Sequence, residues 1–180
     1  MDTHPLIGQY APDFELPGVD GEVYHLRRLL PQYQAVVVVI MCNHCPYVQA
    51  AIDTLKNIQS DYQGRVLLIG VNPNDDQRYP QDSFANMKLF AEERQLNFPY
   101  LRDPTQDVAK AFDAKVTPEV FLIDPQGIVR YAGGVEERYP EVAQAGQPSG
   151  LRLALEQFLN QQPVTVNCQA MGCTVKWKAA

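Results

Sequence analysis

Ala35-Val-Val-Val-Val-Ile-Met41-Cys42-Asn43-His44-Cys45-Pro46 is an unbroken apolar run that stops at a cysteine pair and a proline. Such a run, rich in β-branched residues, predicts a strand buried on both faces of a sheet. Beyond it Val48, Ile52, Leu55, Ile58 and Tyr62 recur at steps of three or four, while Gln49, Asp53, Lys56 and Asn57 take the other side. That spacing predicts an amphipathic helix from Pro46 to about Tyr62. Gly64 closes it, and Arg65-Val-Leu-Leu-Ile-Gly-Val71 reads as a second buried strand. Strand, helix and strand in so short a span make a βαβ unit with a right-handed crossover. The cysteines fall at the carboxyl end of its first strand, where open α/β sheets gather ligands and chemistry.

Outward from this unit the pattern continues. Phe14 and Leu16 alternate, Asp20-Gly21 marks a turn and Val23 begins a second alternation, which predicts an N-terminal β-hairpin. After Val71 a polar loop, Asn72 to Pro80, leads to a helix expected from about Asp82 to Gln95, a short strand near Phe98 to Leu101 and a short helix from Gln106 to Phe112. Glu119 to Asp124 and Ile128 to Ala132 form a hairpin across Asp124-Pro-Gln-Gly127, a sequence suited to a type I turn. Leu151, Leu155, Phe158 and Leu159 mark a last helix. From Pro163 helical periodicity is lost, but Val164/Val166 and Val175/Trp177 alternate, so the tail is expected to dock, with Trp177 as an apolar anchor. The reading is one α/β domain over residues 1–162, with the tail 163–180 part of the same domain.

Composition narrows the function classes. At 180 residues one domain is the default. With 21 acidic against 15 basic side chains and no Lys/Arg run, nucleic acid is not an expected partner. The longest apolar run, Ala35 to Cys42, is far short of the roughly 20 residues that span a bilayer, so no membrane partner is expected either. Met1-Asp-Thr-His-Pro5 lacks the basic and apolar regions of a secretory signal, and the chain is expected to be cytoplasmic. Four cysteines are too few for a disulfide scaffold. In a reducing compartment they would be catalytic, metal-binding or simply buried.

Cys42-Asn43-His44-Cys45 carries the chemistry. Two thiols in the first turn of a helix are close enough for a disulfide, and the helix N-terminus favours thiolate over thiol. Lowering a cysteine pKa from about 8.5 to about 7 raises its thiolate fraction at neutral pH from about 3% to about half. Cys42 is expected to be the exposed, low-pKa nucleophile and Cys45, one step into the helix, the partner that closes the disulfide. His44 beside them would favour the thiolate and hence the reduced form, moving the couple toward about −180 mV from the −270 mV of thioredoxin. A pair between a buried strand and a helix reads as a redox motif. The alternative is zinc, for which Cys168 and Cys173 could supply two further ligands.

Ala11-Pro-Asp-Phe-Glu-Leu16, the C-x-x-C after a β-branched strand, Thr117-Pro118-Glu119-Val-Phe-Leu-Ile-Asp124 and the following Gly-Ile-Val together resemble the thioredoxin-like superfamily. Within it they are most similar to the redoxin branch shared by peroxiredoxins (the AhpC/TSA group) and the thioredoxin-like reductases of cytochrome maturation, over roughly residues 5 to 160. The resemblance implies a thioredoxin-like fold, a central mixed sheet flanked by helices. It implies a cis bond at Thr117-Pro118, facing the cysteines and offering backbone groups to an extended substrate. Without it a trans bond would be the default, since only about 5–6% of X–Pro bonds are cis. Glu119 would then be either a polar neighbour of the site or an ordinary strand-end carboxylate.

Peroxiredoxins carry a Pro-x-x-x-Thr/Ser-x-x-Cys motif and a later arginine. Counting back from Cys42, this chain has Val39 and Ala35 at those places, and Thr117-Pro118-Glu119 where the arginine would stand. Dithiol exchange is therefore expected ahead of peroxidase activity. Cys168 and Cys173 form a possible second redox pair, with a mobile tail thiol passing electrons to the first. The expected activity is thiol–disulfide exchange with protein or small-molecule disulfides, supplied by a thioredoxin- or glutathione-type reductant, with no cofactor and no metal. A peroxidase, and a four-cysteine zinc-binding or redox-sensing module, are the alternatives.

Overall fold

The computed structural model describes residues 3–136 and 150–180. The expected domain span thus includes residues 1–2 and 137–149, which lie outside the described part. Strands β1 (Glu15–Pro17) and β2 (Val23–His25) form the expected antiparallel hairpin, with Leu16 opposite Tyr24. A four-residue helix α1 (Leu26–Leu29), too short to show a period in sequence, leads to β3 (Ala35–Ile40), α2 (Pro46–Asp61) and β4 (Val66–Asn72). A 3-10 turn, Pro80–Asp82, then precedes α3 (Phe84–Glu93), whose N-cap Ser83 accepts a hydrogen bond from the Asn86 amide. There follow β5 (Tyr100–Arg102), α4 (Asp107–Ala111), β6 (Val116–Thr117), β7 (Glu119–Ile123), β8 (Val129–Gly133), α5 (Gly150–Leu159) and β9 (Cys173–Thr174).

The main sheet has the order β5-β4-β3-β7-β8. β3 runs parallel to β4 and antiparallel to β7, so the sheet is mixed and β3 is its centre. Every residue of β3 is buried, and its side chains alternate between two cores. Val37 and Val39 pack with Val48, Ile52, Leu55 and Ile58 of α2 and with Leu151 and Leu155 of α5. Val36, Val38 and Ile40 face Leu26, Leu30, Phe112 and Val129 on the other side. Fully burying one such side chain is worth about 1.5–3 kcal/mol, so this strand anchors both layers and fixes the point where the chain leaves it. The point of exit is the cysteine loop.

The tail does dock. Val175 is buried in the second core, and Trp177 packs at its edge beneath Lys110. Strand β9 pairs with β6, Thr117 opposite Cys173, and main-chain bonds continue on both sides: the Val175 amide donates to the Lys115 carbonyl, and the Asp75 amide to that of Lys176. Cys173 is thus held in place and is not the mobile thiol expected from the sequence.

Candidate active site

Pro46 fixes where the helix starts. A proline is pre-set for the first helical position, and the residue before it must stay extended. Cys45 is therefore the N-cap of α2, with φ −69° and ψ 123°. Cys42 lies three residues earlier, in the loop. The expectation of an exposed Cys42 at the helix end is corrected here, because Cys42 is 1% exposed and Cys45 fully buried, and Cys45 is the sulfur nearest the positive end.

All four cysteines are thiols. Hydrogen bonding from Cys42 outweighs burial and, with help from the Cys173 thiol and the Val48 amide, holds the Cys45 thiol down to about 4. Cys42 is pushed far up in turn, first by its bond to Cys45, then by burial and by the Asp82 carboxylate. The two sulfurs therefore share one proton and one negative charge, with the charge resting on Cys45. Thr117 touches both of them. Its hydroxyl is 3.6 Å from Cys42 Sγ, and its carbonyl oxygen lies 3.4 Å from Cys45 Sγ. The Thr117–Pro118 bond is cis, as the resemblance implied. Glu119 accepts from the amides of Lys115 at 2.8 Å and Val116 at 3.4 Å and faces His4 at 3.9 Å, while burial raises its pKa. It braces the backbone that enters Thr117, which is the strand-end reading of that carboxylate.

Beneath the loop lies a group that the sequence did not single out. Asp82, fully buried, accepts from the Asn43 amide at 2.7 Å and from Asn72 Nδ2 and Asn74 Nδ2 at 3.3 and 3.0 Å. His44 Nδ1 stands 2.5 Å from its Oδ2, and the imidazole, about a quarter exposed, stacks on Tyr79. Asn43 is pinned by Tyr100, whose hydroxyl donates to Oδ1 at 2.7 Å, and itself donates to the Gln81 carbonyl. Arg102 closes the network on the carbonyls of Asn72 and Asn74. In sequence these residues read as a polar loop and a helix start. The available signal was that Asn72, Asn74 and Asp82 follow directly on a buried strand, at the same edge as the cysteines.

Among the described residues, the donor atoms that converge as a metal site would require are those of Cys42, His44 and Asp82, all within 4.8 Å of one another. Three protein ligands with a fourth position open is the pattern of a catalytic zinc. Cys168 and Cys173, expected as a possible second redox pair or as further zinc ligands, have different surroundings. Cys168 bonds the Glu136 carbonyl at 3.0 Å and packs where β8 ends and α5 begins, against Gly133, Gly134 and Gly150, whereas Cys173 lies beside Thr117.

An uncharacterized conserved protein of Geobacillus kaustophilus shares this structure with a TM-score of 0.91 and 37% identity, over 99% of this chain and 95% of that one. A hypothetical protein of Sinorhizobium meliloti is similar at 30% identity and a TM-score of 0.90, over 97% and 96% of the two chains. A secreted disulfide oxidoreductase of Mycobacterium tuberculosis shares the fold at 16% identity and a TM-score of 0.55, over 64% of this chain and 79% of that one. None of the curated proteins matches the chain. The secreted relative of the fold overturns the cytoplasmic expectation, since the features behind that reading do not separate a cytoplasmic redoxin from a secreted one. No helix among the described residues is long and apolar enough to cross a membrane. The family model described as AhpC/TSA matches residues 7–132, from the N-terminal hairpin through the cysteine loop and the cis-proline to β8, and the chain belongs to that thioredoxin-like redoxin family.

Proposed function

We propose that the chain is a thiol–disulfide oxidoreductase whose Cys42/Cys45 dithiol reduces disulfides and is recharged by a thioredoxin- or glutathione-type thiol. One observation carries the reading: the Cys42/Cys45 pair lies against Thr117 and the cis-proline. Cys45 is enclosed by Cys42, Cys173 and the Thr117 carbonyl, while Cys42 borders the part-exposed His44. Cys42 is taken as the attacking sulfur.

The proton shared by the two sulfurs passes from Cys42 to Cys45. The Cys42 thiolate then attacks the substrate disulfide, forming a mixed disulfide and releasing one substrate thiolate. Cys45 gives up its proton to that leaving thiolate and attacks Cys42 Sγ. The intramolecular disulfide closes, the second substrate thiolate departs, and two electrons have moved to the substrate. Asp82 opposes the charge on Cys42, and the His44 imidazole lies against that carboxylate. Thr117 and Pro118 seat the substrate, and Asn43 holds the loop.

The test is turnover with a small aromatic disulfide and a thiol reductant. The wild type is expected to turn over, and Cys45→Ser to accumulate a mixed disulfide through Cys42. A wild type without turnover overturns the reading, and trapping by Cys42→Ser alone reverses the order of attack. Family membership favours peroxide as a second oxidant. However, Ala35 and Val39, buried in β3, stand where the peroxidase motif needs proline and a hydroxyl. Peroxide consumption is therefore expected to be slower than disulfide exchange.

A further inference from the structure

Cys173 is not absorbed by that mechanism, yet it is built into the site. Its strand lies antiparallel on Val116–Thr117, the segment that touches both sulfurs, with Cys173 directly opposite Thr117. The Thr117 hydroxyl donates to the Cys173 carbonyl at 3.5 Å. The residue before it has to be small, because a Cβ on Gly172 would lie 1.9 Å from the Thr117 carbonyl oxygen and 2.7 Å from its carbon. Cys173 is part-buried against the core that contains Cys42 and Cys45. Cys45 has both other thiols as hydrogen-bonding partners and is thus the sulfur that borders both of the others.

We propose that Cys173 is a third redox thiol of this site, exchanging with the Cys42–Cys45 disulfide to form a Cys45–Cys173 disulfide and return Cys42 as thiolate. The inference rests on the Cys42/Cys45 dithiol reading. Cys173 gives its proton to solvent, its sulfur attacks Cys45 Sγ, the Cys42–Cys45 bond breaks, and the electron pair leaves on Cys42. No electrons are gained or lost in the step. The oxidised protein is then two isomers in exchange, one of them with Cys42 ready to attack again. The Cys173 thiol of the reduced protein is pushed up to about 11, by burial first and then by its hydrogen bond to Cys45 and the charge there.

Disulfide mapping tests this on the full chain. The protein is oxidised with diamide, quenched with iodoacetamide and digested without reductant. Wild type is expected to yield Cys42–Cys45 and Cys45–Cys173 peptides. Cys42→Ser should yield Cys45–Cys173 within monomers, and Cys173→Ser only Cys42–Cys45. Gly172→Ala, which pushes β9 off Thr117, is expected to lose the Cys45–Cys173 peptide while keeping Cys42–Cys45, and it does not depend on a cysteine variant folding. Cys45 and Cys173 both alkylated in oxidised Cys42→Ser, or linked to Cys168 or to another molecule, would overturn the proposal. A wild type that maps as expected but turns over no disulfide would overturn the function while leaving the linkage intact.

Discussion

Asp82 Oδ2 lies 2.5 Å from His44 Nδ1, and the donor atoms of both are within 4.8 Å of Cys42 Sγ. A buried carboxylate this close opposes a second negative charge, and it is one of the causes that push Cys42 up. Asp82→Asn removes the charge at nearly constant shape. The pH–rate profile of Cys42 attack is expected to move to lower pH, because its thiolate forms more easily. Asp82 also accepts from three nitrogens of Asn43, Asn72 and Asn74, and an amide cannot accept as many. A stability loss of about 1–3 kcal/mol is therefore expected in urea. An unmoved profile would remove Asp82 from the chemistry.

Cys45 makes the reduced protein's stability depend on pH. Its ordinary value is 9.0 unfolded, against about 4 in the native pair. Between those limits the unfolded chain binds the extra proton, so unfolding free energy rises with pH across the window and is lost as pH falls toward 4. Cys42, pushed upward, works in the opposite sense only above its ordinary value. The disulfide form has neither thiol. Guanidinium midpoints at pH 5 and pH 8 are expected to diverge for reduced protein and to be nearly parallel for oxidised protein. The same stabilisation of the reduced form is expected to lift the midpoint potential above thioredoxin's value of about −270 mV. Equal slopes in the two forms would place the charge elsewhere.

Much of the scaffold was legible because local signals agreed. The β-branched run 35–40, the apolar steps 48-52-55-58 and the strand 66–72 lie at their expected positions within a residue or two. The dithiol was legible for the same reason, since spacing and flanking elements point one way. The place of the sulfurs along the helix was not: the spacing puts the helix start at Pro46, which makes Cys45 its N-cap and leaves neither sulfur inside the first turn. Asp82 and Tyr100 were invisible because they reach Asn43 from 39 and 57 residues away. Cys173 is 56 residues from Thr117, and a two-residue strand leaves no period to detect.

Strand β9 is expected to limit substrate size. It already occupies the backbone edge of Val116–Thr117, which an extended polypeptide would need for main-chain pairing. A small disulfide needs only access to Cys42 beside His44. Reduction of small aromatic or glutathione-type disulfides is therefore expected to exceed that of insulin in kcat/KM, and Gly172→Ala, which loosens β9, to narrow the gap. Insulin as the better substrate of the wild type would mean that the edge opens freely.

Tyr100 ties the sheet to the cysteine loop. Its ring is buried in the core of α2, and its hydroxyl donates to Asn43 Oδ1 at 2.7 Å and accepts from Asn72 Nδ2 at 3.2 Å. Burial drives its pKa well above the ordinary 10, so it remains a donor at every pH at which the thiols react. Tyr100→Phe keeps the ring and strands two buried amide groups, each losing a partner that water cannot replace. The expected cost is about 1–3 kcal/mol in urea unfolding. Asn43 is one residue from both Cys42 and His44, so a looser Asn43 lets the Cys42–His44 geometry drift. Turnover is expected to fall with kcat affected more than KM, because binding beside Thr117 is untouched. If kcat and KM are unchanged while stability drops, Tyr100 serves the core alone.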